Sequence, residues 1–161
     1  MRSHLLRAGA MTLIGLSLAG CASTPAPSTI ADTAARTPQL STLNRLIAEA
    51  GLSDTLRTPG PFTVFAPSDE AFKAIPAKTM AELGSDKALL ISVLTYHLVP
   101  GKTMSADVKN GNAKTVNGAN LALAKAGAMV TVEDAVVVHA DVTASNGVVH
   151  VIDRVLLPPK K

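Results

Sequence analysis

The chain has 161 residues, room for one ordinary domain. Its 15 Lys and Arg against 12 Asp and Glu give +3, but Arg2 and Arg7 belong to a segment that reads as an export signal, and without them the balance is 13 against 12. Near-neutrality gives no case for a nucleic-acid partner, and an aromatic set of Phe62, Phe65, Phe72 and Tyr96, with no Trp, excludes stacking platforms for bases or sugars.

Met1 to Arg7 is short and basic. Ala8 to Leu18 is apolar but broken by Gly9, Thr12, Gly15 and Ser17, too short for a permanent membrane span. It closes on Leu18-Ala19-Gly20-Cys21, which resembles the lipobox of bacterial lipoproteins, where the cysteine thiol takes a diacylglycerol before cleavage. The expectation is a signal peptide over residues 1–20 and a lipidated Cys21 at the start of the mature protein. Cys21 is also the sole cysteine, so the domain itself has no disulfide and no cysteine metal site. Ala22 is not the aspartate associated with inner-membrane retention, which favours the outer membrane if the source has two membranes. Residues 21–38, rich in Ala, Ser, Thr and Pro, read as a flexible tether, followed by a domain over 39–158 and a tail over 159–161.

Within the domain, Ser41 is the predicted N-cap of a helix with Leu43, Leu46, Ile47 and Ala50 on one face and Gly51 past its end. Thr58-Pro59-Gly60-Pro61 breaks the chain, and Phe62 to Ala66 alternates as a strand that Pro67 stops. Ser68 then sits where an N-cap belongs. Asp69 and Glu70 fill the first turn, at the positive end of the helix dipole, and Phe72 and Ile75 face the core. A nucleophilic Ser68 would need a nearby base and an oxyanion hole, and the chain has no G-x-S-x-G elbow.

Pro76-Ala77-Lys78 reads as a surface turn. Ser85 or Asp86 caps the next helix, whose apolar residues run through Leu89, Leu90, Val93, Leu94 and Leu98 before Val99-Pro100-Gly101 ends it. Asn110-Gly111-Asn112 reads as another turn. Val116, Leu121, Leu123, Val130, Val132 and Val136 to Val138 are then β-type, with Met129 as core filler. Asn146-Gly147 is the predicted turn into a long last strand ended by Pro158-Pro159, with Gly147 supplying an unusual backbone angle.

The histidines divide by position. His97 shares a helical face with Leu90 and Val93, so it is expected to be buried and hydrogen-bonded, with Asp69 as its partner. His139 and His150 lie near Asp141 and Asp153. These four make a metal site only if their strands pair in register; nothing in the spacing requires it, and no metal or cofactor is assigned. His4 leaves with the signal.

Three stretches occur in a telling order: TVFAPSDEAF over residues 63–72, LTYHLVPGK around Tyr96-His97, and NGVVHVIDRVLLPP over residues 146–159. They are similar to the first homology motif, the tyrosine-histidine motif and the second homology motif of the fasciclin domain family. The resemblance runs from about Gln39 to Pro158. It implies an α+β fold, a wedge of β-strands flanked by short α-helices, and a role in adhesion or protein association at a cell surface rather than catalysis. In animal members the tyrosine-histidine region is linked to integrin binding, which marks Tyr96 and His97 as a place to look. The motif residues Ser68, Asp69, Tyr96, His97, Asn146, Gly147, His150 and Asp153 are accordingly expected to serve structure or partner contact. Two functional readings stand at this point. One is a lipid-anchored envelope module that binds a protein or matrix partner through its surface. The other is an envelope carrier of a small apolar ligand or lipid, which requires a sizeable apolar cavity between helices and sheet.

Overall fold

A computed structural model describes residues 28–159 of the chain. Cys21 and the lipobox lie outside the described residues. The tether expectation fails from Thr29 onward. Thr29 and Asp32 form a capping box that starts helix α1 (Ile30–Arg36), and Ile30, Ala31 and Ala34 fall on one face and are buried. Low overall hydrophobicity hid these roughly two turns of helix; three apolar side chains at the right spacing suffice to dock it.

Helix α2 (Ser41–Ala50) follows a 3₁₀ turn over Pro38–Leu40. Gly51, at φ 75°, closes it with a Schellman pattern: its amide reaches Ala48 O and the Leu52 amide reaches Ile47 O. Ser41 is not the N-cap. Leu40 holds that position without a side-chain bond, and the missing acceptor comes from Asp69, as described below. After a second 3₁₀ turn (Thr55–Arg57), strand β1 (Phe62–Pro67) is buried on both faces from Thr63 on, so the expected in–out alternation is absent. The reason is its place inside the sheet.

Ser68 caps the short helix α3 (Asp69–Lys73), accepting from the Ala71 amide at 3.3 Å. The predicted turn at Pro76-Ala77-Lys78 is instead the start of helix α4 (Ala77–Ser85), with Pro76 at its N-cap. Asp86 caps helix α5 (Lys87–Tyr96) through the amides of Ala88 and Leu89. That helix ends two residues earlier than its apolar pattern suggests, because Leu98–Pro100 leaves it to form strand β2, pairing Leu98 with Val64.

The remaining strands are β3 (Gly111–Lys114), β4 (Asn120–Ala126), β5 (Met129–Val132), β6 (Ala135–Ala144) and β7 (Gly147–Ile152). Gly111 begins a strand rather than a turn. Met129, next to the β4–β5 turn, is 56% exposed and fills no core. The last strand stops at Ile152, and the chain beyond it runs irregularly to Pro159.

The sheet order is β2-β1-β7-β6-β5-β4-β3, with β1 and β7 parallel and every other pair antiparallel. The central strands divide the core in two. On one face Val64, Ala66, Val149 and Val151 meet the helices through Ile30, Leu43, Ile47, Leu90 and Leu94. On the other, Phe65 and Ile152 meet Tyr96, Leu121, Val130, Val132 and Leu156, contributed largely by the β3–β5 hairpins. This is the expected α+β wedge. Among the described residues, no helix is long and apolar enough to cross a membrane.

Candidate functional site

The signature residues do not converge on one point. Apart from Ser68, which caps its own helix, and Gly147, which has no side chain, each instead binds backbone groups of a segment remote in sequence. Asp69, at the head of α3, accepts from Ser41 Oγ at 2.7 Å and from the Thr42 amide at 2.8 Å, and so caps α2 from outside. Burial opposes ionisation of Asp69, but these hydrogen bonds from Ser41 and Thr42 outweigh it and hold the carboxyl below the usual range.

His97 is therefore not bonded to Asp69. Its Nδ1 lies 2.8 Å from Val93 O, and its Nε2 accepts the Leu156 amide at 3.0 Å. A carbonyl can only accept and an amide can only donate, so the ring is the neutral Nδ1–H tautomer. Only 2% of the residue is exposed, and burial pushes its pKa down to about 4 against the opposing pull of the Val93 carbonyl. The expectation of a buried, hydrogen-bonded ring holds, but its partners are main chain: helical phase located the ring, whereas the irregular return of residues 155–159 was not legible. Neighbouring Tyr96 donates toward Asn120 O at 3.2 Å and Glu133 Oε1 at 3.3 Å. Burial and the adjacent Glu133 carboxylate raise its pKa.

The second homology stretch works in the same manner. Ser145 and Asn146 form the two-residue turn between β6 and β7. Buried Asn146 accepts from the Ile30 amide at 2.8 Å and donates to Leu56 O at 2.7 Å and Thr58 O at 3.0 Å. Gly147 does not adopt the unusual angle expected of it. The need for glycine is spatial, since a Cβ there would stand 2.0 Å from the Phe62 carbonyl oxygen. His150 stacks on Phe65 with centroids 5.5 Å apart; its Nδ1 accepts from the Asp141 amide at 3.1 Å and its Nε2 lies 2.8 Å from Thr103 O. Asp153 accepts from the Val136 amide at 2.7 Å.

Both nitrogens of His150 are thus committed to the backbone, while His139 is exposed on β6. Among the described residues, no three His, Cys, Asp or Glu side chains come together as a ligand set. Ser68 shares an open cleft of 620 Å³ with Glu70, Lys73, His139 and Asp153, but no hydrogen bond links it to His139 among the described residues.

Sequence reasoning passed over Thr63 and Glu133 and weighed Asp141 only as a metal ligand. Thr63, fully buried, donates to Gly101 O at 2.7 Å and accepts from the Thr103 amide at 2.8 Å. Asp141, at φ 59° within a bulge of β6, accepts both the amide and the hydroxyl of Ser105. Burial of Asp141 opposes its charge, yet these Ser105 bonds keep its carboxyl below the usual range. Glu133, at φ 53°, accepts from the Ala122 amide at 2.8 Å. A polar residue inside an apolar strand, as at Thr63, was the one available signal. Among the described residues, no buried side-chain nitrogen or oxygen lacks a partner.

What remains for ligands is the outside. Four clefts of 480–620 Å³ among the described residues are open and mixed in polarity; one holds Tyr96, Glu133, Arg154 and Leu157, another Arg57, Lys102 and Ser145. The apolar niche between helices and sheet, beside Leu43, Ile47, Leu56 and Leu94, offers about 20 Å³. That is the space of one water, well short of the roughly 300 Å³ at which small-molecule pockets begin.

Comparison with known proteins agrees with this architecture. The model of the fasciclin domain matches residues 38–158. The chain is 44% identical over 140 residues to protein sll1483 of Synechocystis, covering 86% of this chain and 78% of that one. It is 38% identical over 148 residues to the cell surface glycolipoprotein MPB83 of Mycobacterium bovis, covering 89% of this chain and 64% of that relative's length. Its fold resembles a FAS1 domain pair from the insect cell adhesion molecule fasciclin I, with a TM-score of 0.61 at 24% identity over 73% of this chain and 45% of that one. With the family match spanning the motifs whose geometry is given above, this chain belongs to the fasciclin domain family.

Proposed function

We propose that this protein is a non-catalytic surface module of the cell envelope, held by a lipid on Cys21, that binds a protein or matrix partner through its outer face. One observation carries the reading: Asp69, Tyr96, His97, Asn146, His150 and Asp153, drawn from all three signature stretches, are spent on remote backbone groups, which makes them staples of a scaffold. A scaffold built this way leaves partner contact to the open clefts and the hairpins around them. Relatives named as a cell surface glycolipoprotein and an insect adhesion molecule support an exported, surface-facing location.

The test has two arms. Fractionation of cells expressing the wild type and Cys21→Ser should move the protein from the membrane pellet to the soluble fraction. Cells displaying the wild type should then adhere to each other or to matrix-coated surfaces more than cells displaying a cleft variant such as Arg154→Glu. Unchanged adhesion on complete removal of the protein would refute the module reading. A small apolar molecule co-purifying in native mass spectrometry would favour a carrier, against the tightness of the niche beside Leu43 and Ile47.

A further inference from the structure

The domain has two dissimilar poles. Strands β1 and β7 run parallel, with Phe62 opposite Gly147 at one end and Pro67 opposite Ile152 at the other, about 17 Å along the strands. The clefts containing Tyr96 and Arg154, and Ser68 and Asp153, lie at the carboxyl ends of these strands. The cleft of 490 Å³ with Arg57, Gly60, Lys102 and Ser145 lies at their amino ends. The first described residue is fixed at that same amino pole. The Ser145 amide donates to Ser28 O at 2.8 Å, and Arg36 Nη1 donates to Ser28 Oγ at 2.7 Å.

Six residues, Ala22 to Pro27, separate Ser28 from Cys21. Seven Cα–Cα steps reach at most about 25 Å even when extended. A lipid on Cys21 therefore holds the amino pole within that distance of the bilayer. Three cations stand there: Arg36, Arg57 and Lys102. Asp32 and Asp54 face Arg57 only loosely, at 3.8 and 3.9 Å, and Lys102 is exposed with no ion pair among the described residues.

We propose that this pole docks on the anionic lipid headgroups of the membrane that holds the anchor, with Lys102 as its principal contact, and that the Tyr96 and Ser68 clefts are thereby turned outward. The proposal rests on lipidation of Cys21. The tether makes a weak contact sufficient, because it replaces a bimolecular encounter by a high local concentration. Each cation at an anionic surface contributes about a five-fold gain, which fades within a Debye length.

The unique thiol allows a test that does not depend on acylation in cells. The chain from Cys21 onward is coupled to a maleimide lipid in vesicles of phosphatidylcholine alone or with one part in three of phosphatidylglycerol. Acetylation of individual lysines is then followed by mass spectrometry. Lys102 should react about five-fold more slowly on the anionic vesicles at low salt, with Lys73 at the other pole unchanged. High salt, or Arg36→Gln with Arg57→Gln, should relieve the protection. Equal reactivity of Lys102 on both vesicle types, or protection of Lys73 instead, overturns the proposal. The mass of the Cys21 peptide from cells tests the anchor separately, and an unmodified peptide would remove the anchor while leaving the vesicle result interpretable.

Discussion

Acid should weaken this fold through His97 before any carboxylate matters. The ring is buried as the neutral tautomer, with Nε2 occupied by the Leu156 amide, so a second proton has no acceptor and breaks that bond. Its folded pKa lies at about 4 against an ordinary 6.5. A depressed histidine pKa means that the unfolded chain takes up the proton first, so stability is complete above about pH 6.5 and declines as pH falls toward 4. At about 1.4 kcal/mol per pH unit, roughly 2 kcal/mol is gone by pH 5 and on the order of 3 kcal/mol by pH 4. Asp69 and Asp141, whose carboxyls are held below the usual range, lose their contribution only lower down. Urea unfolding from pH 7.5 to 4.5 measures the slope. In His97→Asn, which cannot titrate, the slope should flatten even though the orphaned Leu156 amide costs about 1–3 kcal/mol at neutral pH. A wild type equally stable at pH 7 and pH 5, or a variant with the same slope, would refute the assignment of the tautomer and its burial.

Asn146→Ala removes one acceptor and two donor contacts in a buried site and should destabilise by about 3 kcal/mol in denaturant titration; a cost below about 1 kcal/mol would show that the turn does not hold α1. Gly147→Ala places a methyl against the Phe62 carbonyl and should separate β1 from β7, read as loss of cooperative unfolding or a cost above about 3 kcal/mol. Asp69→Ala should cost about 1 kcal/mol and speed hydrogen exchange at Thr42, because α2 loses its external cap. Combined with His97→Asn, its effect should add to within about 0.5 kcal/mol, since the two residues share no partner, and a larger coupling would restore the direct pairing expected from sequence.

Much of the fold was legible where a local rule acts alone. The Ser68 and Asp86 caps, the Gly51 terminator and the burial of His97 follow from residue type and spacing within one turn. The tether over Ile30–Arg36 was misread because Ala, Thr and Arg carry little hydrophobic signal, and the helix owes its place to Asn146, far along the chain. Leu98 fits the apolar stripe of α5 yet belongs to β2, as pairing with Val64 wins over helix periodicity. At the candidate site, the polar residues were identifiable as a set, but their partners were not. Backbone amides and carbonyls leave no trace in a sequence, so Asp69 was matched to a side chain when its true partner includes the amide of Thr42.

The parallel pairing of β1 with β7 places the earliest strand of the domain beside the last, and the Asn146 side chain grips Ile30 across 116 residues. Neither half can close its core until nearly the whole polypeptide has been made. Such a chain gathers slowly, because loop closure precedes reward. A polypeptide that closes so late stays threadable until its last strand is made, which is what passage through a membrane channel would require, and the latch between its two ends would then snap shut only afterwards.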